Sequence, residues 1–462
     1  MQVPGYGQSN WQLNGRTVGA VTTSEDLPFW FHSNRAGEYD PSGSNLLLGL
    51  RLDKKLRNSR FFDYGIGTNF VGRGSLNSDV FFNELYAEAK IGILHLYSGK
   101  KNWQDGIWSS ELSLGSMIWS GNSATMPKVM AFIPEYTSVP FTNGWIAFRG
   151  YWGHGWFGKN RYVEDTYLHE KALYVRLLQD KFPVNGHLGL IHNVQWGGTH
   201  PRLGDLPDGT GDYWRIVTGR AGESGTSPEG EVLNALGNTL GAYEARLDIY
   251  LNNVDLKAYR QFFIETGPNV RFRSPWDGQW GLQVNIKGKT SGWLKTFLWE
   301  HLNTKRQNAK SGEAIGADNY YNNFIYQNGW TYKDRIIGSP LIGLGTVNER
   351  KKIVNNIIVA HHFGFEGTPP IGFGNNLIEY QLKVTYSRNY GLTTDCSGDF
   401  CDEDDPNPYR TPRRDQWYYQ LELGQQITPR FKVTTTFGLD VGELSDEFGV
   451  MIGASYSIYG SD

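Results

Sequence analysis

The feature that most constrains the fold is a strict alternation of apolar and polar residues in the second half of the chain. In Tyr243–Leu251 every odd-numbered residue is apolar, and Glu244, Arg246 and Asp248 stand between them. A β-strand points successive side chains to opposite faces, so this pattern predicts a strand with one apolar face. The same alternation occurs in Ile378–Ser387, Trp417–Leu423, Phe431–Leu439 and Phe448–Ile458.

The length and residue types of these strands favour a membrane barrel over a soluble β-sandwich or jelly roll, which also alternates. Soluble strands average about five to six residues, whereas a tilted membrane strand needs about ten. The polar faces carry much Gly, Ser, Asn and Gln, and the apolar faces tend to begin or end in aromatic residues, as in an aromatic girdle. We therefore predict a transmembrane antiparallel up-and-down β-barrel.

The connections between the predicted strands give an independent test. If both termini lie in the periplasm, connections alternate between the two sides, and the long ones all fall outside, as in membrane barrels. The predicted inner connections are Gln179–Asn185, Asn252–Asp255, Lys287–Thr290, Gly367–Asn375 and Gln426–Arg430. The predicted outer ones are Gly198–Leu240, Asn303–Asn355, Arg388–Arg414 and Asp440–Glu447.

Weaker alternation in the first third of the chain predicts further strands. They bring the total to about 16–18, a size at which a barrel can enclose an aqueous lumen. Residues 41–462 are predicted to form the barrel and residues 1–40 an N-terminal extension or plug segment. The additional strands are predicted near Leu46–Leu52, Phe61–Val71, Phe81–Ala89, Ile93–Ser98, Glu111–Trp119 and Trp145–Tyr151.

Composition excludes several classes. The net charge of −3 hides no basic block, so nothing indicates a nucleic-acid surface. No run of about 18 apolar residues is present for a spanning helix. The low mean hydropathy of −0.47 is compatible with a barrel, because only every second residue faces lipid. Met1–Pro4 lacks the pattern of a signal peptide, so we expect this numbering to begin at a mature or re-engineered N-terminus.

One outer loop carries both cysteines and a dense acidic run. Cys396 and Cys401 are expected to form a disulfide, since the envelope is oxidising; the alternative is two unpaired thiols. The run Asp395–Asp405 offers oxygen ligands for Ca²⁺ but matches no EF-hand spacing. A solvated acidic loop is the favoured interpretation, and we predict neither a metal site nor a cofactor.

No catalytic pattern stands out. The ten histidines form no metal-binding motif, and neither a nucleophile elbow nor a phosphate loop is present. A glycosidase needs two positioned carboxylates, and the sequence singles out none. We predict that the protein is not an enzyme.

Aromatic residues beside carboxamides remain as candidates for carbohydrate recognition. They lie at predicted strand ends and in outer loops. For each single residue an interfacial belt or simple packing is the favoured explanation. Asn-rich turns also form for purely local reasons, so the run Asp318–Asn323 is equally explained by a loop that folds down to plug the barrel. The candidate glycan-binding residues are Trp152, His154, Trp156, Asp318, Tyr320, Tyr321, Asn322 and Trp330.

An ordered series of short motifs resembles the Wzi family of capsule-assembly outer-membrane proteins, in the form found in Bacteroidetes, a Gram-negative group. The series spans residues 27–341, and its most specific member is Asp318–Asn323 followed by Gly329–Tyr332. The other motifs are Leu27–Trp30 with Ser33–Arg35, Trp119–Asn122 with Met126–Pro127, Gly144–Trp145, Gly150–Gly155, Leu168–Lys171, Leu190–His192, Gln195–Gly198, Leu236–Asn238, Leu240–Gly241 and Pro340–Leu341.

The resemblance implies an 18-stranded barrel in the bacterial outer membrane that binds or tethers capsular or other surface polysaccharide. The partners it implies are outer-membrane lipid and lipopolysaccharide, surface polysaccharide and other envelope proteins. The alternatives are a diffusion porin for small solutes and a barrel subunit of a larger envelope complex. One departure is the end of the chain, Tyr459–Asp462, which lacks a terminal aromatic residue of the usual barrel-insertion signal; Tyr456 or Tyr459 is expected to replace it.

Overall fold

The described residues form a closed antiparallel barrel of eighteen strands, in which each strand pairs with its neighbours along the chain and the last pairs with the first. This computed structural model describes residues 11–57, 60–104, 106, 111–179, 182–225, 227–233, 235–288, 291–309, 318–347, 350–373, 376–392 and 413–459. The predicted all-β barrel is confirmed, as is the strand number implied by the resemblance. The strands are β1 Trp11–Thr22, β2 Asn45–Lys54, β3 Phe62–Gly74, β4 Asp79–Ile91, β5 Leu94–Lys100, β6 Pro127–Ser138, β7 Ile146–Gly158, β8 Thr166–Leu177, β9 Val184–Trp196, β10 Asn238–Tyr250, β11 Val254–Ile264, β12 Gly278–Ile286, β13 Gly292–Asn303, β14 Ile358–Thr368, β15 Asn376–Asn389, β16 Arg414–Thr428, β17 Phe431–Gly442 and β18 Glu447–Tyr459.

The alternation places polar residues inside the barrel and apolar residues on its outer surface. In β10, Glu244 and Asp248 are buried inside, whereas Leu247 is 43% exposed on the outside. The inward charges are paired: Arg246 Nε lies 2.9 Å from Asp248 Oδ1. An apolar outer surface with a polar interior is the arrangement that a bilayer requires.

Short and long connections alternate between the two ends of the barrel. At one end, called here the turn end, neighbouring strands are joined by short turns such as 92–93, 251–253 and 429–430, and β1 begins and β18 ends there. At the other, called the loop end, lie the connections 23–44, 101–126, 197–237, 265–277, 304–357 and 390–413. The predicted sidedness of the connections is confirmed.

Two predicted boundaries are wrong. Trp11–Thr22 pairs with β2 and β18, so it belongs to the barrel and not to an N-terminal extension ending at residue 40. Its outward positions include Gly15 and Gly19, which interrupt the apolar row by which a strand is recognised. Glu111–Trp119 is not a strand; it lies inside the barrel, and Pro127–Ser138 supplies the wall as β6.

The loops contain short helices and hairpins. None of the helices in the described ranges is long and apolar enough to span a membrane. The helices are α1 Phe29–His32, α2 Thr210–Thr218, α3 Glu229–Leu233 and α4 Gly267–Val270. The short strands in the connections are Thr199–His200 with Gly204–Asp205, Thr331–Tyr332 with Arg335–Ile336, Gly343–Val347 with Arg350–Asn355, and Gly372–Phe373 beside the start of β15.

Candidate functional site

The lumen at the loop end is filled by chain rather than by open space. Residues 23–44, 111–126 and 318–347 fold back into the barrel, and we call them the luminal plug. Several of their large side chains are buried, and Trp30 and Trp330 are at most 1% exposed. They share one apolar cluster with inward-facing wall residues such as Tyr259 and Leu298. The plug is therefore a packed core inside the barrel.

Buried polar groups of the wall hold the backbone of the plug. Glu300 on β13 accepts hydrogen bonds from Ser113 Oγ at 2.6 Å and from the backbone N–H of Leu114 at 2.7 Å. Gln261 on β11 accepts one from the N–H of Met117 at 2.7 Å. These bonds satisfy buried backbone groups of a segment of turns and bends that has no neighbouring strand.

Three of the predicted glycan-binding residues belong to this plug. Tyr320, Tyr321 and Trp330 are 0% exposed. Trp330 Nε1 donates to the carbonyl of Ile118 at 2.9 Å, and Tyr320 Oη donates to Asp277 at 2.9 Å. Their ring faces cannot stack on sugars while the plug is in place, so the prediction that they present faces to a glycan is wrong for this structure. Their polar tips instead tie plug segments together.

Three other predicted residues, Trp152, His154 and Trp156, lie on the outward side of β7. The adjacent loop, residues 197–237, folds down over the outside of the wall, and we call its described part the outer flap. Trp152 Nε1 donates to Tyr213 Oη of α2 at 3.1 Å, and the rings of His154 and Trp156 are 5.0 Å apart. These residues pack the flap and the outer edge of the wall. The structure does not bring them together with Asp318 or Asn322.

Asp318 and Asn322 do line a cavity, which we call the rim cleft. It has a volume of about 760 Å³ and lies between the plug, the outer flap and the loop 265–277. Asn319, Asn323 and Phe324 line it from the plug, and Phe324 is 51% exposed. Asn322 Nδ2 donates to Asn319 Oδ1 at 2.9 Å, so the amides are held in a fixed arrangement.

Three carboxyl groups in or beside the cleft have perturbed pKa values. Burial raises the pKa of Asp318 to about 6, against hydrogen bonds from Thr266 and Asn308 that lower it. Burial likewise raises the pKa of Glu231 to about 7. The pKa of Glu265 is raised well above its ordinary value, first by burial and then by the nearby Asp318. Burial of this kind favours the protonated form, in which a carboxyl group can donate as well as accept a hydrogen bond.

Sequence reasoning found part of this lining. Asn319 and Asn323 belong to the run that was singled out, but Glu231 was missed because only the folding of the outer flap brings it to the cleft. Glu231 is 3% exposed, and its Oε2 has no hydrogen-bond partner among the described residues. A buried acceptor of this kind costs free energy unless a ligand or water satisfies it.

The predicted disulfide and the solvated acidic loop fall on a different part of the chain. Cys396, Cys401 and the acidic run Asp395–Asp405 lie outside the described residues, so both stay predictions. Among the described residues, no group of three or more His, Cys, Asp or Glu side chains is arranged to hold a metal ion.

Known proteins place the chain in a family. The family model "Capsule assembly protein Wzi" matches residues 51–344. No curated protein matches the chain. A solved structure of Wzi from Escherichia coli, described as a carbohydrate-binding β-barrel involved in group 1 capsule assembly, is 13% identical, covering 98% of this chain and 85% of that one with a TM-score of 0.57. OpdL of Pseudomonas aeruginosa is 9% identical, with 97% and 98% coverage and a TM-score of 0.47. The chain therefore belongs to the Wzi family of capsule assembly proteins, which are non-enzymatic β-barrels of the outer membrane.

Proposed function

We propose that this barrel binds a surface polysaccharide at the rim cleft and so tethers capsular material to the outer membrane. The observation that carries the proposal is the composition of the cleft at the loop end. Asn319, Asn322 and Asn323 offer both donors and acceptors, and Asp318 adds a carboxyl group. Sugar hydroxyls both donate and accept, so such a lining suits them. The related Escherichia coli protein is described as carbohydrate-binding.

The plug argues against the alternative of a diffusion porin. A porin needs an aqueous path along its lumen, and here Trp30, Leu112 and Trp330 fill that path at the loop end. Function is thus better sought at the rim than in the lumen.

Binding of labelled polysaccharide, extracted from the cell surface, to the barrel in lipid nanodiscs tests the proposal. Asn322→Ala should weaken binding several-fold, because one neutral hydrogen bond is worth about 0.5–1.5 kcal/mol. Phe324→Ala should also weaken it, because the variant lacks a half-exposed ring that can pack against a sugar. Asn252→Ala is the matched control, since Asn252 is an exposed amide at the turn end. It should bind as the parent does.

Two results would contradict the proposal. One is unchanged binding in both cleft variants; the other is a parent barrel that conducts ions at the level of an open porin in planar bilayers. Heat-modifiable electrophoretic mobility must be retained in every variant, which shows that the barrel itself is folded.

A further inference from the structure

The rim cleft crosses from the plug to the lipid-facing side of the wall. Lys171, His192, Gly241 and Ile264 are cross-strand neighbours on β8, β9, β10 and β11, and all four line the cleft. They face outward, since the residues beside His192 on its strand, such as Ile191, are buried in the luminal core. One side of the cleft is thus formed by the outer surface of the barrel.

At the loop end β11 is shorter than its neighbour β10. β11 ends at Ile264, which lies opposite Gly241, whereas β10 extends farther toward the loop end, to Asn238. Beyond Ile264 the chain is held by the plug: Glu265 Oε1 accepts a hydrogen bond from the N–H of Tyr321 at 2.9 Å. Plug residues and outward wall residues can therefore line one continuous space at the rim.

Two loops enclose the outer part of the cleft like side walls. Val217 and Thr218 of the outer flap lie on one side, and Val270 of α4 on the other. The loop of α4 is fixed to the outer surface by Phe272, whose ring stacks on Tyr243 with centroids 5.2 Å apart. The two loops therefore bound a groove on the lipid-facing surface of the barrel.

The floor of this groove is apolar, and its rim is polar. Leu190 and Tyr243 are opposite each other on β9 and β10 and both line the cleft, with Leu190 49% exposed. Apolar surface of this kind contacts acyl chains in the outer leaflet. The polar side chains of the cleft, those of Asp318, Asn319 and Asn322, lie on the plug side. The apolar groove and the polar plug side therefore match an amphiphile whose acyl chain lies in the outer leaflet and whose sugars lie at the rim of the barrel.

We infer that the ligand of the rim cleft is a lipid-linked glycan that enters sideways from the outer leaflet, with acyl chain in the groove and sugars against the plug. This inference rests on the proposed function, because it names the class of glycan bound at the same site. A glycan without lipid would occupy the polar rim alone and leave the groove to membrane lipid.

The test compares two probes on the barrel in nanodiscs: surface polysaccharide extracted with its lipid intact, and the same material after alkaline removal of its acyl chains. Empty nanodiscs measure partition into the bilayer. Val270→Trp places a bulky ring at the groove from an exposed loop position, and Leu203→Trp, on an exposed part of the outer flap that does not line the cleft, is its control.

For the parent, binding above the empty-disc level should be about tenfold or more tighter with the intact probe than with the deacylated one, about 1.4 kcal/mol. Val270→Trp should abolish that difference and leave the deacylated probe unaffected, while Leu203→Trp changes neither. Equal parent affinities, or a Val270→Trp variant that retains the preference, would overturn the inference and leave the proposed function standing. No binding of either probe would overturn the proposed function itself.

Discussion

The plug segment 318–347 and the outer flap both belong to long connections at the loop end, yet they fold to opposite sides of the same wall. Trp330 of the plug segment is buried in the luminal core beside Trp119, with ring centroids 5.8 Å apart. Ile216 of the flap is buried on the outer surface against Val194 and Trp196. Loop length therefore does not decide which side a loop takes.

The side that a loop takes depends on the wall residues it meets, because successive residues of a strand face opposite sides of the wall. At the end of β9 the inward residues Asn193 and Gln195 are polar, whereas the outward residues Val194 and Trp196 are apolar. The outward pair gives the flap a purely apolar contact. Inside, polar wall groups such as Glu300 bind the backbone of the plug. The flap is held by apolar packing and by more exposed hydrogen bonds, such as the one from Trp152 Nε1 to Tyr213 Oη, whereas the hydrogen bonds that Glu300 makes to the plug are buried.

The largest expected effect comes from removing the central ring of the plug. Trp330→Ala should destabilise the packed plug by about 3–5 kcal/mol, the usual cost of deleting a buried Trp side chain. Ion conductance in planar bilayers should then rise above that of the parent.

Trp214→Ala is the matched control for that experiment, because Trp214 lies on the outer flap and is 60% exposed. It should leave conductance unchanged. If both variants conduct alike, or if neither differs from the parent, the plug does not seal the lumen.

The sequence predicts the wall better than its filling. Period two, strand length and connection length predicted the strands from Tyr243 onward, because a lipid-facing row must be apolar along its whole length. Glu111–Trp119 shows where this fails: its apolar and polar residues alternate too, but its backbone turns at Gly115 (φ 83°) and is held inside the barrel by Glu300 and Gln261. Those partners lie far away along the chain, so no local pattern reveals them.

The candidate site was predicted in part for the same reason. Asp318 and Asn322 were recognised as polar groups beside aromatics, and they do line the rim cleft. Tyr320 and Tyr321 have the same local pattern but point into the core. Burial depends on how the whole loop folds, and residue type alone cannot separate a stacking ring from a packing ring.

A second variant tests the flap. Ile216→Ala removes a buried side chain from its apolar contact and should loosen the flap by about 2–4 kcal/mol. Limited proteolysis should cut the flap faster, for example after Arg202 or Arg220, while conductance stays at the parental level. A rise in conductance would mean that loosening at Ile216 reaches the plug, through the contact of Leu206 of the flap with Ile325 and Tyr326 of the plug.

A smaller effect is expected from the buried hydrogen bonds by which Glu300 of the wall holds the plug. Glu300→Gln keeps the shape of the side chain but turns one acceptor into a donor, which then faces the Ser113 hydroxyl or the N–H of Leu114. The plug should lose about 1–3 kcal/mol, with a modest rise in conductance and no change in flap proteolysis. Accelerated cutting of the flap would show that Glu300 supports the wall in general rather than the plug.

The smallest effect is a pH dependence that distinguishes the flap from the plug. Burial is the main reason that the pKa of Glu231 is raised, with a smaller contribution from Asp212, while the N–H of Gly237 opposes the shift. A carboxyl group whose pKa is higher in the folded state stabilises that state most at low pH. This contribution to the flap is complete below the ordinary carboxyl pKa of 4.5 and is lost as pH rises through about 7. For Asp318 in the plug, the corresponding contribution to stability is lost over a lower range, which begins at about pH 3.8 and ends at about pH 6. Between pH 6 and 8 the flap should therefore become easier to cut, with cutting rates normalised to an unfolded substrate, whereas any change in conductance would report on Glu265, which accepts a hydrogen bond from Tyr321 of the plug. Glu231→Gln should remove the pH dependence of flap cutting. If the variant retains it, another group in the flap titrates, and the unsatisfied Oε2 of Glu231 is not what links the flap to pH.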